Sequence, residues 1–268
     1  MPLALPTKQV LLQFWWSIGG DGADVYGEYL GSLLPNVILY TDGQLLSQAR
    51  SWYQETTVSN AEMCAMLQEI AATGFLQVVD PGGNDPSSPI YQFDDTAQFS
   101  DGGPEYVIQV NGSPAVQVSV YEPYERYVLP SIRAAYDLFQ HYTFQPREAA
   151  PYQSQRVIVW VELGRGTEWA WRVPTYGDGP EPTPEIDSWP SDLPPLSDLL
   201  PDASGTPAYI QGPLAWEFAS LPKRFGVYKD RDREYFVIVR PLLPHETVTG
   251  YGLWPAGATE FDLPLECD

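Results

Sequence analysis

The residues Pro35-Asn36-Val37-Ile38-Leu39-Tyr40-Thr41-Asp42-Gly43-Gln44-Leu45-Leu46 decide how the first half of this chain folds. An apolar run rich in β-branched side chains meets Asp42-Gly43 and then resumes. That is the strongest short-range signal for a two-residue hairpin, whose central positions both need φ > 0. Such a turn predicts that Tyr40 faces Leu45 and that Leu39 faces Leu46.

Working outward, Val10 to Trp16 reads as a buried strand stopped by Gly19-Gly20-Asp21-Gly22. Residues 50 to 57 extend the second arm of the hairpin or add a further strand. The period then changes. Ser59-Asn60-Ala61-Glu62 is a capping box, with Val58 and Met63 placed as a hydrophobic staple. Met63, Met66, Leu67 and Ile70 follow at helical spacing and Gly74 supplies a left-handed stop. This Met-containing stripe is expected to be core packing, not a metal or haem site.

Beyond it, Tyr106 to Val110 and Ala115 to Tyr121 flank Asn111-Gly112, a second hairpin. Val116, Val118 and Val120 alternate with Gln117 and Ser119, which predicts one buried and one wet face. A second helix starts near Pro130, with Ile132, Ala135, Tyr136 and Phe139 on one side. The fold class expected is therefore α+β, with antiparallel sheets built from hairpins and two main helices packed on one face.

Polar residues and two prolines between Gln145 and Gln155 divide the chain into an α+β half, 1–150, and a β-rich half, 151–268. Val157 to Leu163 and Trp169 to Val173 read as a third hairpin around Gly164-Arg165-Gly166. Residues 174–207 hold nine prolines, seven acids and no Lys or Arg. They are expected to form a long acidic loop, draped over the surface or mobile, that cannot bury a core of its own. Pro213 to Leu221 allows a short helix, and Phe225 to Tyr228 with Tyr235 to Arg240 forms a fourth hairpin around Asp230-Arg231-Asp232.

At 268 residues the chain is long enough for one large core or two smaller ones. Its 14 Lys and Arg against 35 Asp and Glu give a formal net charge of -21. Such a field repels phosphate backbones and anionic lipid, so nucleic acid is not an expected partner. The charge is unevenly placed: before Arg126 the only basic residues are Lys8 and Arg50, whereas Lys223, Arg224, Lys229, Arg231, Arg233 and Arg240 crowd together. This island either faces solvent and the acidic body of its own molecule or, in the sharper reading, is a docking patch for a partner.

Cys64 and Cys267 are the only cysteines. They form a bridge closing a long loop, as an oxidising compartment permits, or stay free, and their spacing does not decide between these. No apolar run approaches the 18 or so residues that span a bilayer. Pro2, Pro6 and Lys8 ahead of Val10 to Trp16 lack the order of a signal peptide, so membrane association is expected only through a missing leader or a partner.

Two motifs resemble a set of uncharacterised bacterial extracytoplasmic lipoproteins. They are Pro35 to Leu46, with Tyr40, Asp42 and Gly43 at its turn, and Arg240-Pro241-Leu242-Leu243-Pro244 ahead of an acidic residue. Gly19-Gly20 after the first strand fits the same pattern. The resemblance implies an envelope location and an α+β fold, and carries over no catalytic residue. Members begin with a lipoprotein signal ending in Cys, whereas this chain has no Cys before Cys64.

Chemistry has few places to reside. His141, at the end of the second helix, suits the exposed carbonyls there. His245 beside Glu246 has no nucleophile motif to serve. No H-E-x-x-H, C-x-x-C, P-loop or dinucleotide fingerprint is present, so no cofactor is expected. Asp85, Asp94, Asp95 and Asp101 offer the oxygen ligands Ca²⁺ takes but match no calcium-loop spacing, and a solvated acidic loop is the expectation. Trp169 and Trp171, two apart, share one face of a strand, either as core or as an exposed aromatic platform, while Trp189 is expected to clip its own loop to the body.

The function expected is non-enzymatic: an extracytoplasmic binding or assembly protein, an accessory subunit acting through protein contacts with Lys223, Arg224, Lys229, Arg231 and Arg233 as candidate partner-binding residues. The alternative is a carbohydrate-binding or calcium-assisted carbohydrate-active module using Trp169 and Trp171.

Overall fold

A computed structural model of the chain describes residues 8–17, 35–49, 52–78, 89–92, 105–144, 148–164, 185–201, 206–221, 225–247, 258–261 and 267. They fall into two compact units. The first runs to Tyr152 and takes back the C-terminal 258–261 and Cys267; the second begins at Gln153.

The first unit is a seven-stranded sheet in the order β6-β5-β1-β2-β3-β4-β7. Its strands are β1 (Val10–Ser17), β2 (Val37–Tyr40), β3 (Gln44–Ala49), β4 (Trp52–Thr57), β5 (Glu105–Val110), β6 (Val116–Tyr121) and β7 (Ala150–Pro151). All neighbours pair antiparallel. Residues 52–57 thus add a strand of their own. β1 is an interior strand: it pairs with β2 on one side and with β5, some hundred residues later in sequence, on the other.

Helix α1 (Asn60–Ala72) starts as its capping box dictates. Ser59 Oγ accepts from Glu62 N, and the Glu62 carboxylate accepts from Ser59 N at 2.8 Å. Gly74, at φ +79°, lets its N–H return to the Ala71 carbonyl and end the helix. Helix α2 (Pro130–Phe144) begins on a proline, whose missing N–H costs nothing in the first turn. From α1, Met63, Met66 and Ile70, and from α2, Ile132, Ala135 and Phe139, meet Leu12, Phe14, Leu39, Leu45, Ile108 and Val118 of the sheet in one core. The α+β class and the two helices on one face are as the sequence predicts.

The opposite face is wetter at β6, where Gln117 and Ser119 are half-buried as expected, than in the strands beside it, which differ from expectation. Trp15, Ile38, Tyr40, Leu46, Tyr53 and Val107 are all buried. Gln13, Gln109 and Gln117 stand in register across β1, β5 and β6 on that side. Gln13 and Gln109 are themselves buried, with Gln13 Nε2 donating to Gln109 Oε1 and Gln109 Nε2 donating to Asn111 Oδ1 at 2.9 Å. A buried amide is tolerated where it is hydrogen-bonded, which explains polar residues on a covered face.

The first hairpin is also shifted by one residue. Leu39 faces Leu45 and Ile38 faces Leu46, so the loop holds Thr41, Asp42 and Gly43. Gly43 alone has positive φ, +83°, and its N–H returns to the Tyr40 carbonyl at 3.0 Å. This is the three-residue solution, a tight turn followed by a left-handed glycine. Gly43 O also accepts from Val58 N at 2.8 Å, and a Cβ at Gly43 would lie 2.3 Å from Val58 O. Gly43→Ala therefore adds a backbone clash to an unfavourable φ, an expected loss of at least about 2 kcal/mol on urea unfolding. An unchanged midpoint would show that the β4–α1 junction moves freely.

The second hairpin uses Asn111-Gly112 within a longer loop, Val110 facing Val116, with a cis Ser113-Pro114 bond. Asn111 is buried and does more than turn the chain. Its Nδ2 donates to Val10 O, its Oδ1 accepts from Thr259 N at 2.8 Å, and Gly112 N donates to Thr259 O. The C-terminal segment, expected in the second half, is thereby held in the first unit. Cys64 on α1 is bonded to Cys267, which resolves the cysteine alternatives as a disulfide.

The second unit is a five-stranded sheet in the order β10-β8-β12-β11-β9. Its elements are β8 (Arg156–Leu163), β9 (Ile186–Ser188), β10 (Ala208–Gln211), the short helix α3 (Pro213–Ala219), β11 (Phe225–Asp230) and β12 (Arg233–Pro241). β9 pairs parallel to β11 and the other neighbours pair antiparallel. Residues 169–173 lie outside the described residues, so the third hairpin is not among what is seen; the described neighbours of β8 are β12 and β10.

Part of the acidic 174–207 segment is built into this unit instead of draping over it. β9 adds an edge strand, Leu193, Leu196 and Leu199 are buried, and Leu196 N donates to Asp230 Oδ2 at 2.8 Å. Trp189 clips the segment as expected: its indole N–H reaches Pro194 O at 3.0 Å, and its ring packs against Phe218 and edge-on to Tyr228.

Candidate functional site

Of the basic island, Lys223 and Arg224 lie outside the described residues. Lys229, Arg231 and Arg233 come together, exposed, at the end of the β11–β12 hairpin. Their register sets Lys229 opposite Glu234 and Asp230 opposite Arg233, with Arg231 and Asp232 forming the turn. Three cations and three anions alternate there, and opposite charges face each other across the strands, so the tip is close to neutral.

Arg240, counted with the island in the sequence, is not a surface group at all. It is 1 % exposed and forms a two-point ion pair with Glu246, Nη1 to Oε2 at 2.8 Å and Nη2 to Oε1 at 2.5 Å. Glu246 Oε2 also accepts from Leu243 N at 2.9 Å. Arg156 wraps the same turn from outside, donating to the carbonyls of Glu246 at 3.0 Å and Leu243 at 2.9 Å. The prolines at 241 and 244 bend the chain so that a residue six positions on returns to the guanidinium. Arginine and glutamate bracketing Pro-Leu-Leu-Pro was the available signal, since a fork-shaped cation and a carboxylate meet well in this way.

Two ionisable groups in this turn are displaced from their ordinary values. Burial acts to raise the Glu246 carboxyl, but the Arg240 hydrogen bond and charge and the Leu243 N–H outweigh it, leaving its pKa lowered. Burial pushes the His245 imidazole down; the Glu246 charge opposes this while Arg240 and Arg156 reinforce it. Both signs run the same way. A depressed carboxylate contributes stability that is present above its unfolded pKa and is lost as pH falls through its folded one; a depressed imidazole leaves the unfolded state binding the extra proton first. Stability is therefore expected to fall as pH drops below the ordinary histidine value near 6.5, and to fall further through and below the carboxylate value of 4.5. Thermal unfolding followed across that range checks this, and a melting temperature that rises on acidification would contradict it. The arrangement positions a turn, which the buried Ser154 hydroxyl also ties by donating to the Leu242 carbonyl at 3.0 Å.

Trp169, Trp171, Asp85, Asp94, Asp95 and Asp101 lie outside the described residues. Among the described residues no cluster of three His, Cys, Asp or Glu is placed to hold a metal ion, and no helix is long and apolar enough to cross a membrane.

The first unit carries an open groove of about 390 Å³ between α1 and α2. Glu62, Ala65, Met66 and Glu69 line one wall. Leu138, His141 and Tyr142 line the other. Successive residues on a helix turn through about 100°, so Glu62, Ala65, Met66 and Glu69 share one flank, beside the Met63 and Ile70 face that meets the core. Cys64 falls on the far flank, which keeps the disulfide away from the groove. Met66 and Tyr142 are buried, giving an apolar floor, while Glu62, Glu69 and His141 are exposed at the rim. Both rim carboxylates are held. Glu62 takes the N–H and hydroxyl of Ser59 at 2.8 and 2.7 Å, and Glu69 accepts from the Tyr142 hydroxyl at 2.5 Å. His141 was legible in the sequence as a helix-end residue, but the groove it shares with Glu69 was not, because the two lie on helices far apart in sequence.

Compared with family models, with curated proteins and with solved structures, the chain matches none.

Proposed function

We propose that this chain is a non-catalytic binding protein of an extracytoplasmic compartment, an accessory subunit that works by protein contacts through its acidic surface. The observation that carries this reading is where the charge goes. The chain's formal charge is -21, and the groove between α1 and α2 sets two hydrogen-bonded carboxylates around an apolar floor on its surface. Complementary charge of this kind speeds encounter and selects partners more than it adds affinity. Arg240 and Glu246 are meanwhile engaged in structure, closing a turn, and both cysteines are joined. The Cys64–Cys267 disulfide supports the compartment, since such bonds persist where the surroundings are oxidising. The likeness of the Arg240 to Pro244 run to envelope lipoproteins points the same way. Lys229, Arg231 and Arg233 alternate with Asp230, Asp232 and Glu234 at the β11–β12 tip, whereas the groove carboxylates leave the acidic charge at the surface.

The test is to isolate the protein gently from its native cells and weigh what elutes by size exclusion coupled to mass spectrometry. Stoichiometric co-elution with another protein is expected. A lone chain of 29.9 kDa would overturn the reading.

A further inference from the structure

We infer that the α1–α2 groove is the docking slot for a cationic segment of the protein partner, entered by an arginine or lysine side chain; this rests on the binding reading above. The chemistry of the slot selects that occupant. Long basic side chains carry an aliphatic stem and a charged head. Met66 and Leu138 offer the stem an apolar floor, and Glu62 and Glu69 meet the head at the rim. The two carboxylates are seven residues apart on one helix, close to two turns, so they lie about 10 Å from each other along the axis. That spacing suits two cations of one segment, or one cation with freedom to choose. A single exposed ion pair contributes little because both side chains must be ordered to form it. Here the anions are already ordered, by Ser59 and by Tyr142, so less remains to be lost on binding. An acidic or purely apolar segment would leave these carboxylates facing like charge or stripped of water. The charge of the whole chain, -21, draws the same class of partner from a distance.

The test uses the full chain and two synthetic probes, a short Arg/Leu peptide and its citrulline/Leu counterpart, which keeps shape and removes charge. Binding is read by fluorescence anisotropy and by methyl NMR of Met66 and Ala65. The variant is Glu62→Gln with Glu69→Gln, because glutamine still serves a capping box and still accepts from Tyr142, so the fold is kept. The control is Asp192→Asn with Asp198→Asn, two exposed acids of the second unit. The Arg/Leu peptide is expected to move the Met66 and Ala65 methyls. The groove variant should bind it about tenfold more weakly, the control within about twofold, and the citrulline peptide as weakly as the variant. Unmoved methyls, or equal weakening by groove and control variants, would overturn the slot and leave only diffuse charge attraction. The native complex separates the two levels. If the partner co-elutes with the groove variant as with the unaltered chain, the slot falls and the binding reading stands; if the unaltered chain elutes alone, the binding reading falls.

Discussion

Glu246→Ala is expected to lower the stability of the second unit by about 3 to 5 kcal/mol. The size follows from what is left behind. Arg240 is 1 % exposed and would keep its charge, since a guanidinium does not deprotonate in a protein, while losing the carboxylate that meets both its terminal nitrogens. Leu243 N would lose its acceptor as well. Removing one partner of a buried pair is far costlier than replacing both. Arg240→Met with Glu246→Leu should therefore recover much of the loss, as apolar replacements of buried pairs often do. Urea unfolding of the two variants, read through tryptophan fluorescence, checks the ordering. Equal losses for the single and double variants would mean that the pair's geometry, not the stranded charge, sets the cost.

Replacing Cys64 and Cys267 by serine is expected to cost roughly 5 kcal/mol at the upper end, because chain-entropy arguments scale with the loop closed and this one spans a sequence separation of 203. The described residues of the second unit all lie within that loop along the chain. The loss should appear chiefly in the first unit, where Cys64 anchors α1 and Asn111 and Gly112 already hold Thr259 by one hydrogen bond each. Those contacts set a lower bound on the ordering that survives reduction. Native-state hydrogen exchange of α1 amides in the unaltered and serine chains measures it, and unchanged protection would show that the disulfide is redundant with the Asn111 clamp.

What was legible in the sequence was what is decided locally. The capping box at Ser59 and Glu62, the glycine stop at Gly74 and the proline start at Pro130 each act within one helical turn, so the residues specify them alone. Asp42-Gly43 was read as a turn correctly and in the wrong register by one residue. The dipeptide permits two left-handed positions, but only Gly43 takes one, and the contact that accompanies this, Val58 N on Gly43 O, comes from the far end of β4. The wet face predicted from Gln117 and Ser119 holds in part: both are half-buried between buried valines, while Gln13, Trp15, Val107 and Gln109 on the same side are buried, because alternation tells which side chains share a face, not whether something covers it. The acidic segment carried a readable clue in Leu193, Leu196 and Leu199, apolar residues at steady spacing among prolines, which the charge of their surroundings outweighed. The Arg240–Glu246 pair and the groove were hidden differently. Each needs a return of the chain, short in one case and long in the other, that composition and periodicity do not encode.

Native mass spectrometry of the protein from its own cells, recorded over a series of salt concentrations, tests most directly whether it acts by charge-guided protein contacts. At low salt a mass above the 29.9 kDa of the lone chain is expected, giving way to the lone chain as salt screens the acidic surface. The lone chain at every salt concentration, low salt included, would contradict it.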